Sequence, residues 1–230
     1  KYRVSAITPN LLIGDIISSA SIALLMRHSV TAIVSLTRYR NEEWDRPANR
    51  VLIPQALHLH VPILDSPNED ILSHLPTICD FIDLHLSKPI TTTTTAFSSS
   101  STTTQHHPSD SRVLVHCHIG KSRSPTAVAA YLMRSQGLSV EEALRVIKAG
   151  REIAEPNAGF LKQLHLWEEL KYELYEDPAK GALPKEAYEK HLKEIAKEKN
   201  AMYDALIKSD MDRMLDLRSR SSQTSSSVGR

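Results

Sequence analysis

Cys117, Gly120, Arg123 and Ser124 stand within one short stretch, Val113 to Thr126, that reads VLVHCHIGKSRSPT. An apolar run stops at a cysteine, and six residues later an arginine is followed by a hydroxyl residue and a proline. This layout predicts a strand, an anion-cradling loop and the start of a helix. Backbone N–H groups of such a loop converge on an anion, and the helix dipole adds to the attraction. A field that binds phosphate also stabilises a thiolate. The Cys117 thiol is therefore expected to fall from about 8.5 into the range of roughly 3.5–7.5 found at helix N-termini, making it a nucleophile at neutral pH. Arg123 offers a planar fork that holds two phosphate oxygens and matches the charge of a phosphoryl-transfer transition state, which lysine does not. Gly120 permits backbone angles and a close approach that a Cβ would hinder. Ser124 can donate a hydrogen bond to a departing sulfur, and Pro125 costs nothing in the first helical turn.

The string His-Cys-x-x-Gly-x-x-Arg-Ser, His116 to Ser124, resembles the phosphate-binding loop of the cysteine-dependent protein tyrosine phosphatases. Its continuation from Ser124 to Met133, SPTAVAAYLM, resembles the dual-specificity branch of that superfamily. The resemblance covers roughly residues 4 to 175. It implies that His118, Ile119, Gly120, Lys121, Ser122 and Arg123 bind the phosphate, that Asp65 protonates the departing alcohol, and that Asn157 supports the loop from behind. His116 is expected to pack behind the loop and bond to backbone, orienting Cys117; the side chains of His118 and Lys121 set local electrostatics at most. The implied reaction hydrolyses phosphomonoesters on protein tyrosine, serine or threonine, so the partner is a phosphoprotein substrate. Cys117 attacks phosphorus while Asp65 acts as general acid; Asp65 then serves as general base while Ser124 stabilises the sulfur. The scheme needs no metal or other cofactor.

Several readings stay open at this level. Asp65 closes a predicted strand, His58 to Asp65, in which Leu57, Leu59 and Val61 alternate with His58, His60 and Pro62. Asp70 lies in the same loop, and either aspartate competes for a helix-capping role before Ile71. His58, His60, His106 and His107 raise the question of a metal. With two cysteines and no zinc-module spacing, they are expected to be exposed strand and loop residues. Cys79 recurs at helical spacing with Leu75, Ile78, Ile82 and Leu86, a core pattern; a reversible disulfide with Cys117 is the sharper alternative. Rival functions are a silent phospho-binding module, which would lack the thiol or the arginine, a phosphoinositide phosphatase with a more basic loop, and an RNA 5′-triphosphatase or nucleotide phosphatase with a basic groove. Arg38 to Arg50 lacks the aromatic recognition loop of the tyrosine-only enzymes, which favours a shallow pocket.

Positioning these residues requires strands ending at the loop and helices behind them. Ile7 to Gly14 and Thr31 to Leu36 resemble an opening strand with its turn and a core strand. The alternation of strand and helix patterns predicts an α/β chain. The resemblance supplies the topology: a three-layer α/β/α fold with a central mixed sheet of about five strands and the phosphate loop at the carboxyl end of one. The catalytic domain is expected over 1–176, with a low-complexity Thr/Ser insertion at 90–111 that cannot offset its ordering entropy and should be a flexible loop. Asp177 to Gly181 breaks a preceding helix, and 177–217 forms a helical extension whose helix opens at Leu183-Pro184. Its stripe of Tyr188, Leu192, Ile195, Met202 and Leu206, interrupted by Lys199, is too short for a coiled coil. It reads either as a solvated helix or as a partner or self-association surface over 184–217. The Ser/Arg-rich 218–230 is expected to be a disordered tail.

The 230 residues are 41% hydrophobic, enough for a sizeable core, and the net charge of +1 gives no global drive toward nucleic acid or membrane. No apolar run reaches roughly 18 residues and no leader pattern is present, so a chain without a membrane span, in a reducing cytoplasmic or nuclear compartment, is expected. The first residue is Lys1, so a preceding segment is expected as well.

Overall fold

The computed structural model describes residues 3–87, 111–176 and 183–226. They divide into two compact units, Lys1–Lys185 and Glu186–Arg230. In the first, β1 (Val4–Ala6), β2 (Leu11–Gly14), β3 (Ala32–Leu36), β4 (His58–Val61) and β5 (Val113–His116) form one mixed sheet in the order β1-β2-β5-β3-β4. Only β1 runs antiparallel to its neighbour; β2, β5, β3 and β4 are parallel, so their carboxyl ends share one edge. The loop that follows β5 therefore sits at the rim of a parallel sheet, between the neighbouring strands β2 and β3.

Helices cover both faces, and this is why every residue of β2, β3 and β5 is buried. On one face Leu12, Leu114 and Ile33 lie abreast and pack with Leu25, Val30 and Ile53 of α2 (Ile22–Arg27), α3 (Pro47–Leu52) and their flanks. A short α1 (Ile16–Ala20) and a 3-10 turn, Glu42–Asp45, complete that layer and bring in the fully buried Trp44. The opposite face is governed by α5 (Arg123–Gln136). Its residues 123 to 133 are all buried, with Ala127, Ala129 and Ala130 letting α4 (Leu75–Ser87), α6 (Val140–Gly150) and α7 (Ala158–Glu169) approach closely. Gly137 ends α5 in the left-handed region, donating its N–H to the Met133 carbonyl, and a Ser139–Glu142 capping box starts α6.

Two local expectations, the exposure of the β4 histidines and the end of the helix before the extension, are corrected. His58 and His60 are not exposed: His58 is 7% accessible and both sit against Trp44. In a sheet covered on both faces a period-two pattern does not mark a solvent side, and β4 buries its histidine face under the Glu42–Asp45 turn. The Arg38 to Arg50 segment is largely helical, with Trp44, its largest aromatic residue, turned inward. The helix before the extension stops at Glu169, well ahead of Asp177, because Lys171 and Tyr172 both adopt positive φ and turn the chain out of the helix. The insertion at 90–111 lies outside the described residues except for Ser111, which is buried; His106 and His107 lie outside them too.

The second unit is one helix, α8 (Glu186–Ser226), of 41 residues. It runs through Arg218–Ser226, where composition predicts a disordered tail; no glycine or proline interrupts the sequence before Gly229, so nothing in it stops the helix. Met202, Tyr203, Leu206, Ile207 and Met211 are each more than half exposed along it. Among the described residues no helix is long and apolar enough to cross a membrane.

Candidate active site

The loop from Cys117 to Ser122 leaves the carboxyl end of β5 and enters α5 at Arg123. Gly120 sits at φ +75°, and a Cβ there would collide with the Arg151 guanidinium and the Gly14 carbonyl. Glycine is thus required both by conformation and by close approach. The turn folds the loop back so that the Gly120 N–H reaches the Cys117 Sγ at 3.2 Å, while the Ser124 hydroxyl donates to the same sulfur at 3.3 Å. Burial by itself pushes the Cys117 thiol up. The Ser124 hydroxyl and N–H, the Arg123 charge and the Gly120 N–H outweigh it, and the thiol ends below its ordinary value. Cys79 has no such partners. Burial in α4 pushes its thiol up to about 12, so it stays protonated among core side chains, and both cysteines are free.

Arg123 is nearly buried, and one guanidinium nitrogen donates to the Ile63 carbonyl at 3.2 Å. Its Nε lies 3.6 Å from Asp65, an ion-pair distance too long for a hydrogen bond, and this buried N–H has no hydrogen-bond partner. The arginine is thus held by one edge, with a donor left for a ligand. Asp65 follows β4 and accepts at Oδ1 from the Ser122 hydroxyl at 2.6 Å and the Asn157 side-chain amide at 2.9 Å. Asp70 instead receives the Ser73 N–H at 3.1 Å at the start of the 3-10 turn Leu72–His74. Of the two candidate aspartates, Asp65 is the one whose carboxylate bonds to Ser122 of the loop.

Asn157 does more than stand behind the loop. Its Oδ1 caps α7 by accepting the Phe160 N–H, its backbone N–H donates to the Ser122 hydroxyl, and its amide holds Asp65. Gly159 in the next turn lets the Pro67 carbonyl pack where a Cβ would overlap it, bringing the Asp65 segment onto α7. The Lys121 ammonium turns outward to Glu155 at 2.8 Å, and the side chains of His118 and Ile119 are exposed. These three residues therefore line the cradle with backbone rather than side chain. His116 is fully buried and its Nδ1 lies 3.1 Å from the Cys117 carbonyl. Burial holds its imidazole down at about 4, hence neutral.

Sequence reasoning did not reach Arg151. It is fully buried after α6, donating Nε to the Gly120 carbonyl at 2.6 Å and Nη2 to the Ile119 carbonyl at 2.8 Å. Arg151 thus ties back the carbonyls of Ile119 and Gly120, while the Gly120 N–H faces the Cys117 sulfur. In sequence a basic residue at a helix end reads as a solvated dipole partner, and only its contacts reveal the role. Two clefts flank the loop. One of about 370 Å³ is lined by Asp65, Lys121, Ser122, Glu155 and Asn157, and another of about 340 Å³ by Thr37, Arg38, Tyr39, Asn41, His118 and Arg123. Among the described residues no three His, Cys, Asp or Glu side chains form a group that could hold a metal ion.

Taken together, a thiol with a lowered pKa, the Gly120 N–H and the Arg123 guanidinium beside it, and a carboxylate at the rim form an arrangement that can perform in-line displacement at a phosphorus bearing anionic oxygens. Comparison with known proteins agrees. The family model described as dual specificity phosphatase, catalytic domain, matches residues 91–170. Dual specificity phosphatase 28 of Homo sapiens is 31% identical over 163 residues, 71% of this chain and 76% of that protein. The crystal structure of the human protein superposes with a TM-score of 0.57 at 28% identity, covering 74% of this chain and 95% of the other. A phosphatase domain from Chaetomium thermophilum superposes with a TM-score of 0.58 at 30% identity, covering 73% and 96%.

Proposed function

This chain belongs to the dual specificity phosphatase family, cysteine-based protein phosphatases of phosphotyrosine and of phosphoserine and phosphothreonine, and we infer that Cys117 is its nucleophile. The observation that carries the assignment is the Cys117 sulfur, bonded by Gly120 N–H and the Ser124 hydroxyl, beside the uncommitted Nε of Arg123. The thiolate attacks phosphorus and the P–O bond to the leaving oxygen breaks as a cysteinyl-phosphate forms. Asp65, at the rim, gives its proton to that oxygen. A water molecule then attacks phosphorus, Asp65 takes the water's proton, and the sulfur leaves as a thiolate stabilised by Ser124. Arg123 and the loop amides of His118 to Ser122 hold the equatorial oxygens, on which charge is greatest in both transition states. His116 and Asn157 position, respectively, the Cys117 backbone and Asp65.

The substrate is a phosphoprotein, and neither RNA ends nor inositol lipids fit the site as well. Lys121, the one lysine of the loop, is committed to Glu155, and net charge is near neutral. Phosphate release from phosphotyrosyl and phosphothreonyl peptides, inositol phospholipids and 5′-triphosphorylated RNA tests this; peptides should be the best substrates, and faster turnover of lipid or RNA would overturn the reading. The catalytic domain is assigned to 1–176 and the helical extension to the residues after it. A nucleophilic thiolate must stay reduced, which fits the cytoplasm or nucleus. The exposed stripe of Met202, Tyr203, Leu206, Ile207 and Met211 is assigned to self-association.

A further inference from the structure

Behind the phosphate loop, between β3, β4 and β5, His116 ends a row of polar side chains whose other members take no part in the chemistry above. Arg50 Nη1 lies 3.3 Å from His58 Nδ1, His58 Nε2 lies 2.6 Å from Ser35 Oγ, and Ser35 Oγ lies 2.5 Å from His116 Nε2. The row ends on the Cys117 carbonyl, 3.1 Å from His116 Nδ1. Its two ends dictate where every proton sits. A carbonyl only accepts, so His116 carries its proton on Nδ1; a guanidinium only donates, so His58 Nδ1 accepts and Nε2 is protonated. Ser35 then has one arrangement, accepting from His58 and donating to His116.

The surroundings favour this neutral, directed chain. Ser35 and His116 are wholly buried and His58 nearly so. The Trp44 ring closes over them, its centroid 4.6 Å from that of His58 and 5.5 Å from that of His116, its own N–H spent on the Ser19 hydroxyl. Charged and titratable groups facing His58 are Arg50 from α3, Arg40 from the preceding segment, His60 on its own strand and His116 from β5; burial first and these neighbours second lower it to about 3. Facing His116 are Asp15, His60 and Arg123. Asp45 pins both Arg40 and Arg50 at 2.9 Å, so the outer end of the row is fixed as well.

We propose that Ser35 and His58 are positioning residues that lock His116 in its neutral Nδ1–H tautomer and, through it, hold the Cys117 carbonyl so that the sulfur meets the Gly120 N–H and the Ser124 hydroxyl. The proposal rests on Cys117 being the nucleophile. Without the Ser35 hydroxyl, His116 Nε2 loses its donor, the Cys117 carbonyl alone holds the ring, and the Nδ1–H preference weakens with the hold on the Cys117 backbone.

The test uses the full chain, unsubstituted and as Ser35→Ala, Ser35→Thr and His58→Gln. Ring-nitrogen NMR of His116 reads the tautomer, the pH profile of Cys117 alkylation by iodoacetate reads the thiolate, and kcat and KM are measured on an aryl phosphate. The unsubstituted chain should show His116 protonated at Nδ1 alone. Ser35→Ala should weaken that preference, move the alkylation profile to higher pH and lower kcat about tenfold with KM little changed, the size of one net hydrogen bond. Ser35→Thr, which keeps the hydroxyl, should restore all three, and His58→Gln should fall between. An Nε2-protonated His116 in the unsubstituted chain overturns the proposal, and so does a Ser35→Ala chain with unchanged tautomer, alkylation and kcat. Should Ser35→Ala fail to fold, the unsubstituted spectrum and His58→Gln decide. The tautomer and alkylation readouts do not need turnover. The predicted tautomer in a chain whose hydrolysis is independent of Cys117 would contradict the assignment of the nucleophile and leave the relay standing.

Discussion

At the scale of single residues, the reactivity of Cys117 is a balance between burial, which favours the thiol, and the Ser124, Arg123 and Gly120 contacts that favour the thiolate. On the acid side, kcat/KM should climb as pH rises and the thiolate forms. Ser124→Ala removes a donor to the charged form, so this limb should move to higher pH, and breakdown of the cysteinyl-phosphate should slow enough for the intermediate to be trapped by rapid quench. Asp65→Ala should lower kcat by roughly 10²–10⁴, the usual worth of a general acid–base group, with a smaller loss on substrates whose leaving group needs no proton. Asp70→Ala should leave kcat unchanged, since that side chain caps a turn. The loop's chemistry was legible because its residues are consecutive. Asp65 lies 57 residues from its partner Ser122, and the residues alone could not separate it from Asp70; the contact with Ser122 and Asn157 does.

At the scale of elements, the loop is shaped by what lies behind it. Arg151 reaches it from 31 residues away in sequence, and Ser35 reaches His116 from 81. Such pairings arise only once the sheet brings strands together, so neither was visible in spacing. Arg151→Met should leave two loop carbonyls without their donor and cost about 1–3 kcal/mol for each, read as a lowered Tm, with a fall in kcat as the Gly120 N–H loses its aim. The buried histidines make a second prediction. His58 at about 3 and His116 at about 4 both lie below the imidazole value of 6.5, so between these values the unfolded chain binds more protons than the folded one. Their contribution is complete above pH 6.5 and is lost as pH falls toward 4 and then 3, with a slope of about 1.4 kcal/mol per pH unit for each histidine. Urea midpoints across this window should fall, and His58→Gln should flatten the fall. The strand alternation around His58 was visible in sequence. Its burial was not, because helices cover the histidine face of β4.

At the scale of the whole molecule, the strand and helix alternation made the α/β class readable, whereas strand order needed the resemblance, since nothing local says that β5 inserts between β2 and β3. The end of α7 was misjudged because the positive φ values of Lys171 and Tyr172 carry no glycine signal. α8 continues to Ser226 through a stretch whose Ser/Arg-rich composition argues for disorder but which holds no residue that stops a helix. The exposed stripe on α8 leads to one expectation at this scale. The full chain should sediment as a dimer, and the double substitution Leu206→Glu with Ile207→Glu should return it to a monomer without altering kcat on a small aryl phosphate.

The central claim, that Cys117 is the nucleophile, is tested most directly by hydrolysis of a small aryl phosphate under reducing conditions with a metal chelator present, comparing the intact chain with Cys117→Ser. Turnover that resists the chelator and vanishes in Cys117→Ser is the predicted result. A Cys117→Ser chain that turns over at the intact rate would contradict the account.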